Sequence, residues 1–387
     1  MQSMRRIRQF AAAVLAVWIT GCALCVPAWA ELGEVPAKSA ILIDGTTGTV
    51  LYEQNAHERR ACGSVTKTMS ILLFMEAIDR GELTLEQQVT TSAFANSMGG
   101  SEIWLEVGEV MTVDELLKAI VIQSANDATV ALAEQTAGSE EAFLDRMNRR
   151  AEELGMNDTH YLNTTGFDEE GQYTTAYDIA LAARELIRHP LVFEYSTIWM
   201  DELRGGKTQL ANTNKLLKTY PGITGLKTGT TDDAGNCFCG TAERDGLKLI
   251  SVVLGCATSA ERFSATKTLL DHGFAQWETV TPEFSDAMLT PVPVQGGMQD
   301  AVAGTIQGQP TGLLVPKGRG AQIEYKLTLA ENVAAPVEQG QKLGQLEILL
   351  ENETLCAFPV TAVESVNKIT LIRAFSALFR ALLCGMI

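Results

Sequence analysis

Apolar and polar positions fall along this chain in blocks, each with its own period. Ala40 to Asp44 and Val50 to Gln54 are rich in strand formers and flank Gly45-Thr46-Thr47-Gly48, which predicts a hairpin. From Ser64 the chain carries Met69, Ile71, Leu72, Leu73, Phe74, Met75 and Ile78 before a stop at Arg80-Gly81. A helix apolar on nearly all sides belongs in the middle of a core. Val113 to Gln123 and Asp127 to Ala137 predict two helices broken at Ser124-Ala125-Asn126, and residues 141–154 and Ala176 to Arg188 two more. Alternation then returns in Leu226 to Thr231, Gly235 to Ala242 and Lys248 to Gly255, separated by turns such as Asp245-Gly246. Strands first, helices in the middle and strands last predict an α+β domain whose terminal strands share one antiparallel sheet.

Past Thr281 the pattern changes. Pro282, Pro291 and Pro293 and many Gly, Val and Thr leave almost no helical period up to Val363, which predicts a small all-β domain. Residues 365–387 return to a helical period: Val366, Ile369, Leu371, Ile372, Phe375, Leu378, Phe379, Leu382, Leu383 and Met386 share a face that excludes Lys368, Arg373, Ser376 and Arg380. Such a helix lies in a membrane interface with its cations toward lipid phosphates; the other reading is a helix docked on the protein's own core. The organisation expected is 1–30 as an export leader, 37–280 as the α+β domain, 281–363 as the β domain and 365–387 as the membrane-anchor helix.

Composition and charge narrow the picture. With 46% hydrophobic and 20% charged residues over 387 positions, the chain can bury at least one full core. Arg5, Arg6 and Arg8, the apolar run Phe10 to Ile19 and then Ala28-Trp29-Ala30 have the order of a secretory signal, and the run is shorter than a bilayer needs. Ile19-Thr20-Gly21-Cys22 leaves lipidation at Cys22 as an alternative to cleavage after Ala30. Removing those thirty residues takes away three Arg and no acid, so the formal charge goes from −17 to −20. So acidic a body excludes a nucleic-acid partner, which needs a basic face. Cys62, Cys237, Cys239, Cys256, Cys356 and Cys384 are too scattered for a disulfide framework, and no two of the four His are spaced as zinc ligands.

Three short motifs carry candidate chemistry. In Ser64-Val65-Thr66-Lys67, residues three apart share a helix face, so the Lys amine can approach the Ser hydroxyl and act as its base once burial lowers its pKa. A helix starting there also presents free N–H groups to a developing oxyanion. Ser124-Ala125-Asn126 can relay a proton and hold a peptide carbonyl, or can simply cap the helix that follows. Lys227-Thr228-Gly229 on an edge strand can pair with an extended peptide, with Lys and Thr toward a carboxylate and Gly keeping the wall clear; a surface Lys on a hairpin is the plainer alternative.

In this order, and behind a leader, the three resemble the signatures of the penicillin-binding, β-lactamase-type serine acyl transferases. Arg59-Arg60, Ser124-Ala125-Asn126-Asp127-Ala128, the run Leu154 to Tyr161, Thr174-Thr175-Ala176-Tyr177-Asp178 and the run Gly225 to Thr231 narrow the resemblance to the low-molecular-mass D-alanyl-D-alanine carboxypeptidases, from about Ala37 to the C-terminal helix. That resemblance implies Ser64 as acylated nucleophile, Lys67 as base and Ser124 in proton transfer. It implies Asn126, Lys227 and Thr228 as substrate-binding groups, the N–H groups of Ser64 and Thr230 as oxyanion hole, and Arg262 as the grip on a terminal carboxylate. The implied substrate is a peptidoglycan stem peptide ending in D-Ala-D-Ala, with β-lactams as inhibitors and no metal or organic cofactor.

The chain departs from the family where Cys62-Gly63 stands in place of the usual Pro-Ala, a change expected to loosen the approach to the helix. His160 is expected to be a structural residue of its loop. A β-lactamase would carry Glu-x-x-Leu-Asn, but here Leu162-Asn163 follows Thr159 with no Glu. A non-catalytic scaffold would have no need of Ser64, Lys67, Ser124, Asn126 and Lys227 together.

Overall fold

The computed structural model describes residues 32–309 and 312–376; the expected leader, 1–30, and the end of the expected C-terminal helix, 377–387, lie outside the described residues. The backbone of the α+β domain is a five-stranded antiparallel sheet of β1 (Ser39–Asp44), β2 (Val50–Gln54), β3 (Ile223–Thr231), β4 (Gly235–Arg244) and β5 (Leu247–Cys256), in the order β2-β1-β5-β4-β3. The chain's early and late strands thus meet at β1 and β5, with Ile41 opposite Val252 and Ile43 opposite Ile250. β1 is buried at every position because the sheet is covered on both faces. Ile41, Ile43, Val252 and Leu254 join the cluster formed with the helices on one face. On the other, Gly273 of the helix Ser259–Gln276 fits so closely over Leu42 and Leu249 that a Cβ there would lie 2.5 Å from a Leu249 methyl.

Between the early and late strands the helices build the first face. α1 (Lys67–Asp79) has ten of its thirteen residues buried, which fits its lack of a polar side. It does not begin as α-helix at Ser64: Gly63–Thr66 form a 3-10 turn that leads into it. α2 (Val113–Lys118) opens on a capping box between Thr112 and Glu115, and α3 (Asn126–Ala137), α4 (Glu140–Glu153) and α5 (Ala176–Leu186) follow. The helix expected to run to Gln123 does so only by widening into a π-turn, Ala119–Gln123, which Ser124 ends in the left-handed conformation at φ 69°, ψ 29°.

From Trp277 onward the described elements are strands and short 3-10 turns until residue 371. A four-stranded antiparallel sheet runs in the order Gly304–Ile306, Glu353–Ala362, Lys342–Leu350, Ile323–Leu329, and Val292–Gln295 pairs with Ala301–Val302 and Val333–Ala334. Val292, Val302, Leu343, Val360 and Val366 form its core. The helix expected from Ser365 begins later than its apolar pattern suggests. Val366 is 1% exposed and pairs with Val337, and Ile369 N donates to the Gly296 carbonyl, so residues 365–369 are extended and belong to the β domain. Helix is described over 371–376, where Leu371 and Ile372 are exposed. Among the described residues no helix is long and apolar enough to cross a membrane.

Candidate active site

The 3-10 turn at the head of α1 lies directly against β3. A Cβ on Gly229 would lie 2.3 Å from the Cys62 carbonyl and 3.0 Å from Ser64 N, and one on Gly63 would lie 3.0 Å from Thr230 N. Only glycine at 229 lets the strand approach Ser64 so closely, which brings the backbone of Thr230 beside the nucleophile candidate. Gly63 is in the left-handed region at φ 56°, and a Cβ on Gly166 would sit 2.0 Å from the Gly63 carbonyl. The Cys62-Gly63 departure does not loosen this approach. Cys62 is buried with its Sγ 3.3 Å from Thr66 Oγ1, and burial pushes its thiol up to about 12, so it packs as a small apolar group.

Lys67 is fully buried. Its Nζ donates to Ser64 Oγ at 3.0 Å, to Asn126 Oδ1 at 2.6 Å and to the Thr165 carbonyl at 2.8 Å. Burial, and after it the charge of Lys227, hold the Lys67 ammonium well below the usual lysine range. The spacing of Ser64 and Lys67 and the distant Asn126 therefore meet at one amine. Asn126 is fixed in turn, its Nδ2 donating to the Gly99 carbonyl at 2.7 Å and its N to the Ser101 carbonyl. Ser124 is 5% exposed, and its Oγ has no hydrogen-bond partner among the described residues; the N-cap position of α3 falls on Ala125, so Ser124 does not cap that helix.

β3 is an edge strand, as Lys227-Thr228-Gly229 requires for pairing with an extended peptide. Lys227 is 1% exposed, donates to the Thr228 carbonyl at 3.0 Å, and is brought down to about 7 by burial and then by the Arg262 charge. Thr228 Oγ1 donates to Thr213 Oγ1 at 2.7 Å. Arg262 donates to the Gly229 carbonyl at 3.0 Å and to Thr230 Oγ1 at 2.9 Å, and its Nε is buried without a partner among the described residues. Lys67, Lys227 and Arg262 are thus three buried basic side chains whose hydrogen-bond partners among the described residues are neutral oxygens, and burial disfavours the charged form of each. With no carboxylate hydrogen-bonded to any of the three among the described residues, an incoming anion would favour their charged forms.

Carboxylates stand elsewhere. Glu140 accepts from Thr164 N and Oγ1, and Asp127 accepts from the N–H groups of Ile103, Leu105 and Ala128. Asn163 Oδ1 holds its own loop by accepting from Gly166 N and Phe167 N. No carboxylate among the described residues hydrogen-bonds to Ser64 or Lys67. His160 pairs through its backbone with Tyr173, on which its ring packs at 6.2 Å, outside this cluster. Nothing in the sequence marks Thr165, which contributes only a carbonyl, or Thr213; the glycines at 99 and 166 show only that the chain turns there.

A family model described as D-alanyl-D-alanine carboxypeptidase matches residues 27–258. The chain belongs to the D-alanyl-D-alanine carboxypeptidase family. A second model, the C-terminal domain of penicillin-binding protein 5, matches residues 277–368. The chain is 42% identical over 336 residues, 86% of each chain, to D-alanyl-D-alanine carboxypeptidase DacF of Bacillus subtilis. It is 34% identical to D-alanyl-D-alanine carboxypeptidase DacC of Escherichia coli over 87% of this chain and 86% of that one. The crystal structure of penicillin-binding protein 5 from Haemophilus influenzae superimposes with a TM-score of 0.76 at 26% identity, covering 87% of this chain and 99% of that one. The carboxypeptidase fold, with its α+β domain and its all-β C-terminal domain, is therefore the fold of this chain, and its activity is that of a serine-type D-Ala-D-Ala carboxypeptidase, a hydrolase.

Proposed function

We propose that Ser64 attacks the carbonyl between the two terminal D-Ala residues of a peptidoglycan stem peptide while Lys67 takes the hydroxyl proton. The observation that carries this reading is the fully buried Lys67 amine, its pKa lowered, 3.0 Å from Ser64 Oγ. The N–H groups of Ser64 and Thr230 stabilise the oxyanion, and Ser124, whose hydroxyl is uncommitted, passes the proton to the leaving amine. Asn126 holds the substrate backbone. Lys227, Thr228, Thr230 and Arg262 receive the terminal carboxylate, Arg262 acting through the Thr230 hydroxyl to which it is bonded. D-Ala departs, and water cleaves the Ser64 ester to release the shortened peptide, with no metal or cofactor required.

A β-lactam would acylate the same hydroxyl, in line with the ampicillin-bound structure of penicillin-binding protein D2 from Listeria monocytogenes, 33% identical over 63% of this chain. With no carboxylate among the described residues hydrogen-bonded to Ser64 or Lys67, that ester should persist. A fluorescent penicillin should label the native protein and leave Ser64→Ala unlabelled. Turnover of penicillin many times per second would overturn the assignment in favour of a β-lactamase. We further propose that residues 1–30 direct export, that 37–280 and 281–363 are the two domains, and that the chain beyond Thr370 rests on the outer face of the membrane. The leader's order of charge and apolar residues and the exposed apolar side chains at 371–375 support this placement.

A further inference from the structure

Trp104 stands 72% exposed to solvent at φ 53°, a left-handed conformation that a bulky side chain adopts at a cost. Its backbone is held there from two sides. The N–H groups of Ile103 and Leu105, on either side of it, donate to the buried Asp127 carboxylate at 3.2 Å and 2.9 Å. The Arg204 guanidinium donates to the Ile103 and Trp104 carbonyls at 2.9 Å and 3.4 Å while ion-paired with Glu109 at 2.6 Å. Asp127 directly follows Asn126, which is bonded to Lys67, so the exposed indole is tied by a short, buried network to the group beside the nucleophile. A surface indole held in a strained conformation by the buried Asp127 and the half-buried Arg204–Glu109 pair, next to the active-site motif, has no role in the core.

Beside it lies a cavity of about 520 Å³, within the size range of small-ligand sites, whose walls carry Glu106, Glu109, Arg204, Lys207, Thr208 and Gln209. One aromatic face among carboxylate, amide, hydroxyl and guanidinium groups matches a pyranose ring, which is apolar on its C–H face and bears hydroxyl and amide groups around its edge. The Glu109–Arg204 pair and the Thr208 hydroxyl that accepts from Arg204 leave carboxylate and hydroxyl lone pairs for a ring's hydroxyl groups, and an acyl chain would desolvate these polar groups with no hydrogen bonds in return. We infer that Trp104 and this cavity bind the sugar of the glycan strand that carries the stem peptide. The inference rests on the carboxypeptidase reading and adds to it: the enzyme reads the polymer as well as the D-Ala-D-Ala end.

The test compares D-Ala release from a free pentapeptide with release from the same pentapeptide borne on its disaccharide. The native enzyme should favour the sugar-borne substrate roughly three- to tenfold, through KM and not kcat, the scale of one aromatic stacking contact. In Trp104→Ala that ratio should fall toward one, and Trp104→Phe should restore part of it. Equal handling of the two substrates by the native enzyme, or a ratio unchanged in Trp104→Ala, would overturn the inference. Calorimetry of the disaccharide alone with Ser64→Ala and with the Ser64→Ala/Trp104→Ala double variant keeps the two readings separate. Sugar binding that depends on Trp104 sustains the site even if neither peptide yields D-Ala, whereas release from both peptides with no sugar binding sinks the site and leaves the carboxypeptidase intact.

Discussion

Lys67 shows how burial makes a base. In water a lysine amine is protonated at neutral pH and cannot accept the proton of a serine hydroxyl; here desolvation and the nearby Lys227 charge disfavour the ammonium, while Asn126 and the Thr165 carbonyl hold the amine in place. Only the neutral amine can act, so acylation by penicillin should rise with pH as Lys67 loses its proton and level off well below 10.5, the ordinary lysine value. Lys67→Arg keeps the charge but cannot lose its proton, and its acylation rate should fall about 10²- to 10⁴-fold. A rate limb near 10.5, or an active Arg variant, would contradict the base assignment. Ser64, Lys67 and Asn126 were legible in the sequence because two fixed spacings and a helix break place specific side chains. Thr165 was not, since every residue offers a carbonyl and only the tertiary fold selects one. The left-handed Ser124 was hidden for a related reason: its conformation follows from the π-turn before it, which no local pattern announces.

Among the elements, α1 and the sheet were readable because their periods differ and their burial is complete. The C-terminal stretch shows where such reading fails. Val366 and Ile369 fall on a helical face three residues apart, but they are also placed to pair with the β domain, and pairing with Val337 and Gly296 outweighs one turn of isolated helix. Helix begins after Thr370, whose hydroxyl accepts from Arg373 N, and there Leu371, Ile372 and Phe375 are 90%, 82% and 72% exposed. Apolar side chains left in water beside Lys368 and Arg373 fit an anionic lipid surface. Truncation after Thr370 should move the protein from the membrane fraction to the soluble exported fraction with penicillin labelling intact. Full membrane retention of the truncated chain would contradict the anchor, and recovery of the native chain in the cytosol would contradict export.

Across the whole molecule, chain order explains the site. β1 and β2 begin the sheet, the helices from α1 to α5 cover one face, and β3 to β5 complete the sheet late, so that β3 arrives against the turn that starts α1. The motifs at 64–67, 124–126 and 227–229 are far apart in sequence because each belongs to a different part of this closure. Glycine at 229 permits the contact that puts Thr230 beside Ser64. The fold class was legible from the order of strands and helices; how closely β3 meets the turn was not, because it depends on the absence of a side chain. The central claim is that this assembly uses Ser64 to remove a terminal D-Ala. Incubation with a pentapeptide ending in D-Ala-D-Ala should release one free D-Ala per peptide from the native enzyme and none from Ser64→Ala. Release undiminished in Ser64→Ala, or cleavage of cross-linked peptides with no free D-Ala, would contradict it.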